Sequence, residues 1–233
     1  MNKKIFISMF LLVGLLGYDA FSQKKTLGIE DFEKPLGDWF EAGDARLNAD
    51  DEKKLDALAG EGVLINGENG RTVHLITGEQ HGDLELQLEF MVPKGSNSGV
   101  YLQGRYEIQI LDSWGKEKPG SGDCGGIYQR WDENRQGNKG YEGTPPPVNA
   151  CKKPGEWQSL TITFKAPRFN SKGEKTKNAQ FKRVILNGIT LHKNVEVTGP
   201  TRSSLNEEEG ALGSLMLQGD HGPVAYRNIR IKK

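Results

Sequence analysis

The chain is poor in the residues and motifs that mark many well-known enzyme classes. It has only four histidines and two cysteines among its 233 residues. The motifs H-E-x-x-H, C-x-x-C and G-x-S-x-G are absent, and no phosphate-binding P-loop is found. These absences argue against a zinc protease, a dithiol enzyme and a serine hydrolase. They leave carboxylates, amides, aromatic rings and isolated histidines, which are the side chains typical of carbohydrate sites.

The chain also lacks an excess of charge of either sign. Its 31 lysines and arginines are balanced by 31 aspartates and glutamates, so the formal net charge is zero. Nucleic acid and anionic membranes are usually recognised through a basic surface, so neither partner is predicted. The partner expected from the remaining chemistry is a carbohydrate.

Residues 1–22 have the pattern of a secretory signal peptide. Lys3 and Lys4 precede the apolar run "IFISMFLLVGLLG", and Ala20 and Ser22 have the spacing of a cleavage site. The run is short for a membrane span and no stop-transfer segment follows it, although a retained N-terminal anchor is the alternative. We therefore predict an exported, periplasmic or extracellular protein, with a single domain over residues 23–233 and no membrane span in the mature chain.

Export gives the two cysteines a possible structural use. In an oxidising compartment Cys124 and Cys151 could pair across a loop of about 27 residues, which would stabilise the fold by roughly 3 kcal/mol in the chain-entropy model. The alternative is two unpaired, partly buried thiols. We predict the disulfide.

The chain contains many short strand signals and few long helical patterns. Glycine accounts for 30 of the 233 residues, and "LELQLEF" at 84–90 alternates strictly between apolar and polar side chains. The segment "VLINGENGRTVHLITGE" predicts a hairpin-like connection, and Asn187-Gly188 predicts a second hairpin. The stretch "NADDEKKLDALAG" is expected to be a loop or a short helix. We predict an all-β sandwich or jelly roll, with an up-and-down barrel as the alternative.

Residues 113–155 form a long connection that is rich in glycine, proline and charge. A connection of this length in a compact domain is usually functional or disordered. Its four aromatic residues argue against disorder, because disordered segments contain few rings. They are Trp114, Tyr128, Trp131 and Tyr141.

The segment "NSGVYLQGRYEIQILD" at 97–112 carries the strongest candidate site. It predicts a hairpin that turns near Gly104, in which Arg105, Glu107 and Gln109 share one face and Asp112 ends the strand. An Arg105–Glu107 ion pair on a solvated sheet would be the simpler explanation. We interpret this polar face as the floor of a site.

A histidine and two carboxylates outside that hairpin are further candidates. His221 lies in the glycine-rich turn "LQGDHGP" with Gln218 and Asp220, where it could act as a base or a metal ligand, or simply be exposed. His74 and His192 lie in apolar strands and are expected to be structural, while His81 opens a strand. Glu85 and Glu89 share a strand face, so a conventional glycanase with paired carboxylates is an alternative.

Several blocks together resemble the 3-keto-disaccharide hydrolase family over about residues 30–232. They are "NSGVYLQGRYEIQILDS", "GGIYQR", "PPPVNACKKPGEWQSLTITFKAPRFN", "VILNGITLHKNVEVTGPT" and "GSLMLQGDHGPVAYRNIRIK". The resemblance implies a concanavalin A-like sandwich of two antiparallel sheets with a sugar site on its concave face. It also implies hydrolysis, by elimination and hydration, of glycosides whose 3-hydroxyl is oxidised to a ketone.

This chemistry needs a base, an acid and a donor or metal ion for the enolate oxygen. We expect Glu107, Asp112 and His221 to be catalytic, with a divalent metal ion as a possible cofactor. The residues expected to bind the sugar are Arg105, Gln109, Tyr128, Trp131 and Gln218. A non-catalytic, lectin-like binding module remains an alternative, because the same fold supports it.

Overall fold

The computed structural model describes residues 24–233, and the predicted signal peptide lies outside them. The described chain is built of antiparallel strands, and its helical structure is a single 3-10 turn at Ile29–Asp31. Among these residues there is no helix of the length and hydrophobicity that crossing a membrane requires.

The larger of the two main sheets has eight strands. In spatial order they are β14 (Ile189–Val197), β13 (Ala179–Leu186), β10 (Gln158–Lys165), β5 (Leu84–Met91), β16 (Ala225–Lys232), β3 (Leu55–Ile65) and β2 (Phe40–Leu47), with β1 (Lys25–Thr26) paired to β16. The alternation predicted for residues 84–90 is confirmed. Leu84, Leu86, Leu88 and Phe90 are all buried, whereas the residues between them are exposed or half-buried.

The smaller sheet has four strands and carries the candidate site. In spatial order they are β4 (Leu75–His81), β15 (Gly213–Leu217), β6 (Asn97–Leu102) and β7 (Tyr106–Leu111). Two short ribbons lie beside the main sheets, β8 (Arg130–Trp131) with β9 (Gly140–Tyr141), and β11 (Arg168–Phe169) with β12 (Lys175–Lys177).

A single large core lies between the two main sheets. Leu86 and Phe90 from the larger sheet join Val100, Ile108 and Ile110 from the smaller sheet in one buried cluster. Burying each such side chain contributes about 1.5–3 kcal/mol, which makes this interface the main source of stability. The fold is the predicted β-sandwich rather than a barrel, because two separate sheets pack face to face.

Two of the three hairpins predicted from turn signals are present. Asn187 and Gly188 have φ values of 51° and 81° between β13 and β14, and Gln103 and Gly104 have 55° and 65° between β6 and β7. Positive φ at two successive residues gives the turn twist that antiparallel strands require. The second hairpin positions the candidate site.

Two other expectations were wrong. The segment around "NGENG" does not close a hairpin, because β3 belongs to the larger sheet and β4 to the smaller one. In "NADDEKKLDALAG" only the first part is a loop, and β3 begins at Leu55. Residues 57–62 of β3 are exposed, so this part of the strand lacks the apolar alternation by which strands are recognised.

The predicted disulfide is also wrong, because Cys124 and Cys151 are both buried free thiols. They lie side by side, and a hydrogen bond from Cys124 lowers the pKa of Cys151 to about 7. The same contact and burial raise the pKa of Cys124. The pair therefore joins the 113–155 connection to the core by packing rather than by a covalent bond.

Candidate functional site

The candidate site is formed by the face of the smaller sheet that points away from the core. Val100 and Ile108 point into the core, so their neighbours Tyr101 and Glu107 point to the opposite face. Tyr101 is opposite Glu107 in the β6–β7 register and opposite Met216 on β15. These three side chains form one row across the sheet.

Tyr128 extends this row beyond β7. Its backbone N–H donates to the Glu107 carbonyl at 3.1 Å, and Ile127 bridges to Ile108. Ile127 is buried in the core, so Tyr128 points to the same face as Glu107. A strand-like part of the long 113–155 connection thereby becomes part of the site.

A second row lies beside the first. Gln109 is opposite Gly99, and the backbone N–H of Gln218 donates to the Gly99 carbonyl at 2.9 Å. The two rows bring together residues that are more than 100 positions apart in the chain. We call the surface formed by Tyr101, Glu107, Gln109, Tyr128 and Gln218 the polar face.

Glycine at position 99 leaves room for the Glu107 side chain. A Cβ atom at Gly99 would lie 2.3 Å from Oε1 of Glu107 and 2.9 Å from the Tyr101 ring. The Glu107 carboxyl group therefore lies directly over the backbone of β6. Only glycine, which has no Cβ atom, permits so close an approach.

The Glu107 carboxyl group is buried and carries a raised pKa. Glu107 is 1% exposed, and its Oε2 atom has no hydrogen-bond partner among the described residues. Burial raises the pKa of Glu107 to about 8, a hydrogen bond from Tyr101 opposes that rise, and the nearby Asp220 carboxylate adds to it. At neutral pH this group is mostly a neutral acid with a proton to donate.

Two further oxygen atoms lie near Gly99 without a partner among the described residues. They are Oε1 of Gln218, in the neighbouring strand position, and Oδ1 of Asn97, two residues earlier on β6. Buried polar atoms without hydrogen bonds are uncommon in proteins. Together with Glu107 Oε2 they form a set of polar atoms suited to a ligand rich in hydroxyl groups, which can both donate and accept hydrogen bonds.

The 218–221 turn places His221 at the rim of the polar face. Nδ1 of His221 lies 3.1 Å from Nε2 of Gln218 and 2.5 Å from Oδ1 of Asp220. A proton on Nδ1 that is donated to Asp220 leaves Nε2 of the ring able to accept another proton. The His221 side chain is 51% exposed, so a substrate can reach it.

His74 adjoins this turn, which the sequence did not indicate. Its Nδ1 accepts the backbone N–H of Gly219 at 3.2 Å and lies 3.9 Å from Oδ1 of Asp220. The strand pattern around His74 predicted a structural residue but could not show that β4 lies beside β15. The contact with Gly219 makes His74 a support for the turn.

Arg105, which was expected to donate to a substrate, directs Nε and Nη1 to the protein's own backbone. Its guanidinium donates to the backbone carbonyls of Gln103, Glu208 and Leu212 at 2.8–3.2 Å. The residue is 8% exposed, so its charge is used to hold the loop before β15 against the β6–β7 turn. The sequence indicates which face of the strand carries Arg105, but it does not indicate that its guanidinium contacts carbonyls more than 100 positions later in the chain.

Asp112 was expected to be catalytic, but its carboxylate makes contacts that support the backbone. Its carboxylate accepts the backbone N–H of Gly95 at 2.9 Å and that of Trp114 at 3.3 Å. It lies five residues beyond Glu107, about 16 Å along an extended chain. The structure therefore does not bring Asp112 to the polar face.

Trp131 lies next to the polar face on a different segment. The guanidinium of Arg202 stacks on its ring at 3.8 Å, and its Nε1–H donates to Glu133 at 2.7 Å. The Arg202 carbonyl in turn lies 3.5 Å from the Tyr101 hydroxyl. A role for Trp131 in closing the site stays a prediction.

The paired carboxylates of the glycanase alternative lie on the other sheet. Glu85 and Glu89 are on the outer side of β5, across the core from the polar face. The Glu89 carboxylate accepts hydrogen bonds from Nε of Arg227 at 2.6 Å and from Nδ2 of Asn228 at 3.0 Å. The environment of Glu89 is that of a structural ion pair, and the arginine lowers its pKa although burial opposes this.

The described residues do not contain a group of three or more histidine, cysteine, aspartate or glutamate side chains that could hold a metal ion. A divalent metal ion as a cofactor stays a prediction.

The chain from residue 29 to 232 matches the model of the 3-keto-alpha-glucoside-1,2-lyase-like domain. The chain belongs to this family. Membership covers nearly all of the described structure and agrees with the resemblance carried by the sequence blocks. It makes the protein a carbohydrate-active, hydrolase- or lyase-like member of the sandwich folds.

Two crystal structures of candidate glycosyl hydrolases from Parabacteroides distasonis ATCC 8503 have a similar fold. The first is 24% identical with a TM-score of 0.59, over 91% of this chain and 84% of that chain. The second is 22% identical with a TM-score of 0.56, over 91% of this chain and 99% of that chain. No curated protein matches the chain. At this identity the likeness supports the concanavalin A-like sandwich fold.

Proposed function

We propose that this family member cleaves glycosides of 3-keto sugars by elimination followed by hydration. The observation that carries the proposal is the buried Glu107 carboxyl group, which holds a proton at neutral pH and has an unpartnered oxygen. A neutral acid suits the departure of a sugar oxygen better than a carboxylate does.

The ketone at C3 of the substrate makes the hydrogen on C2 acidic. In the proposed first step Nε2 of His221 takes that proton, the electron pair forms the C1–C2 double bond, and the bond from C1 to the glycosidic oxygen breaks. Glu107 gives its proton to the departing oxygen. Asp220 supports the charge on the imidazole ring, because it accepts the hydrogen bond from Nδ1.

Hydration reverses these proton movements. Water adds its oxygen to C1 and gives one proton to Glu107, while His221 returns its proton to C2. Both side chains regain their starting state, and the net reaction is hydrolysis. We assign the amides of Gln109 and Gln218 and the hydroxyl of Tyr128 to the binding of sugar hydroxyl groups.

We further propose that the protein acts outside the cytoplasm. The support is the N-terminal pattern of Lys3, Lys4, the apolar run and the cleavage-site spacing. Fractionation of the producing cells, with N-terminal sequencing of the purified protein, tests this point. A mature chain that begins at Gln23 is expected.

The function is tested by following leaving-group release from a 3-keto glucoside and from the unoxidised glucoside. Cleavage of the keto substrate alone is expected, because without the ketone the C2 proton is too weakly acidic. We expect Glu107→Gln and His221→Ala to lower the rate by about 10²–10⁴, the usual effect of losing a positioned acid or base. Glu85→Gln, on the other sheet, is the control and should retain the rate.

Three outcomes would contradict the proposal. Equal cleavage of both substrates would exclude the elimination route. Binding of the keto sugar without release would make the protein a lectin-like binding module. Normal turnover by both variants would show that other residues perform the reaction.

A further inference from the structure

A cavity of about 670 Å³ lies on the larger sheet, away from the polar face. Its floor is a row of cross-strand neighbours at the outer face of β10, β13 and β14, namely Lys165, Gln180 and Glu196. The β11–β12 ribbon forms a wall and contributes Arg168 and Lys177. The cavity is therefore built from two elements of regular structure rather than from a loose loop.

The lining of this cavity is rich in positive charge. It contains four cationic side chains, Lys165, Arg168, Lys175 and Lys177, and a single carboxylate, that of Glu196. An exposed concentration of like charge is unfavourable unless counter-charges offset it. The nearby carboxylates therefore decide how much of the charge remains.

Two carboxylates just outside the cavity offset part of that charge. Asp83 is shared between Lys165 at 2.9 Å and Arg168 at 2.8 Å. Glu209 accepts from Lys175 at 2.5 Å and from the Tyr106 hydroxyl at 2.6 Å. Together with Glu196, three carboxylates face the four cations, so one net positive charge remains at the cavity.

Among the described residues, Lys177 is the cationic side chain of this lining that makes no ion pair. Its ammonium group has no ion pair or hydrogen bond in residues 24–233, and the strand that carries it is exposed. The neighbouring Lys175 is held in place by the Thr198 carbonyl at 2.7 Å. The ribbon is thus anchored at Lys175 and presents Lys177 freely to a ligand.

The uncharged part of the lining is polar. Thr176, Asn178 and Gln180 contribute a hydroxyl and two amides, and Ala166 contributes a methyl group. Within residues 24–233, no aromatic ring lines the cavity. Neutral sugars are commonly held by stacking on aromatic rings, which this cavity cannot provide. Amides and hydroxyls bind sugar hydroxyl groups, and lysine and arginine bind carboxylate or sulfate groups.

We propose that this cavity is a second, non-catalytic site that binds an anionic saccharide carrying carboxylate or sulfate groups. Its volume lies within the range of ordinary small-ligand sites and exceeds what a single inorganic anion fills. The site goes beyond the proposed reaction and does not depend on it, because it shares no residue with the polar face.

The test is calorimetric titration of the full protein with three oligosaccharides of equal length, one neutral, one of uronic acids and one sulfated. Inorganic sulfate is titrated separately as the free-anion arm. We expect binding of an acidic oligosaccharide, none of the neutral one, and weakening as salt screens the charges. Lys177→Gln should weaken binding about tenfold, as for the loss of one hydrogen bond to a charged group.

Lys53→Gln is the matched control, because Lys53 is an exposed lysine of the loop before β3. It should bind as the wild type does. Equal affinity for neutral and acidic oligosaccharides, or unchanged binding by Lys177→Gln, would overturn the proposal. Inorganic sulfate binding as tightly as the saccharides would also overturn it, and would leave an anion site only. None of these readouts uses Glu107 or His221, so the outcome is separate from that of the catalytic test.

Discussion

At the scale of single residues, the charge state of Glu107 is the property on which the proposed reaction depends. The ordinary pKa of a glutamate would leave this group ionised at neutral pH, but burial of the carboxyl group raises its pKa to about 8 and keeps it mostly protonated. The same burial has a consequence for stability, because the unfolded chain releases the proton that the folded chain holds.

We predict that the wild type loses stability as pH rises from about 4.5 to about 8 because of Glu107. Its pKa is higher in the folded state, so the folded protein binds more protons over this window and each rise in pH favours unfolding. The full shift corresponds to on the order of 5 kcal/mol. Urea unfolding of the wild type and of Glu107→Gln from pH 5 to 9 measures it.

The Glu107→Gln variant should lose the part of the slope that belongs to this group, so it should be more stable than the wild type at pH 9. Glu85→Gln is the control, and it should retain the wild-type slope because Glu85 is exposed. A Glu107→Gln variant with an unchanged slope would show that the carboxyl group is ionised in the folded protein.

We also predict that Gly99→Ala reduces activity on the keto substrate about 10- to 100-fold. The added methyl group would lie 2.3 Å from Oε1 of Glu107 and must displace the carboxyl group, and misplacement of a catalytic group by about 1 Å costs rate on this scale. Overpacking should also cost about 1–3 kcal/mol in unfolding free energy.

Gly78→Ala on β4 is the matched control for this prediction. A Cβ there has as its nearest neighbour the Glu33 Cγ atom at 3.9 Å, so activity and stability should stay near the wild type. Rate assays and urea denaturation of both variants make the comparison. Full activity in Gly99→Ala would show that Glu107 does not need its position over β6.

At the scale of structural elements, a buried neutral histidine holds the β6–β7 hairpin to β4. Nε2 of His81 accepts the backbone N–H of Gln103 at 3.0 Å, and Nδ1 donates to the Gly82 carbonyl at 2.9 Å. Both nitrogens are used in this arrangement, and a second proton on the ring would remove the acceptor. Burial lowers the pKa of His81 to about 4.

We predict that this histidine destabilises the fold at acidic pH. The unfolded chain binds a proton at an ordinary pKa of about 6.5, so stability that is complete above this value is lost as pH falls toward about 4. The effect is on the order of 3 kcal/mol. Imidazole NMR signals followed from pH 7 to 4 give the pKa of His81 in the folded protein, and a value near 6.5 would contradict the prediction.

The long 113–155 connection is held by packing, which leads to a further prediction. Cys124 and Cys151 are free thiols, so thiol titration of the unreduced, denatured protein should find two reactive groups. A reductant should leave the denaturation midpoint unchanged, whereas a disulfide closing this loop would contribute roughly 3 kcal/mol. A midpoint that falls on reduction would show that the bond forms in solution.

At the scale of the whole molecule, the two sheets carry different chemistry on their outer faces. The smaller sheet buries a neutral acid and unpartnered oxygens around Gly99. The larger sheet exposes cationic side chains around the cavity beside β11 and β12. The common core separates the two surfaces, so substitutions on one face are expected to act independently of the other.

The sequence by itself determined the local elements, because their signals involve neighbouring residues. Alternation at 84–90, the Asn187-Gly188 turn and the hairpin near Gly104 each depend on a few consecutive positions. The same short blocks were sufficient to indicate the family and hence the sandwich. They also placed Glu107, Gln109 and Gln218 among the candidates for the site.

Only the tertiary structure decided which segments meet and what state their side chains have. The connection between β3 and β4 crosses between sheets, and Arg105 and Asp112 find partners that the hairpin sequence does not show. The raised pKa of Glu107 likewise depends on burial and on a carboxylate 113 positions later in the chain, Asp220. Burial, pKa and hydrogen-bond partners are properties of the assembled register, and a one-dimensional pattern carries no record of distance across the sheets.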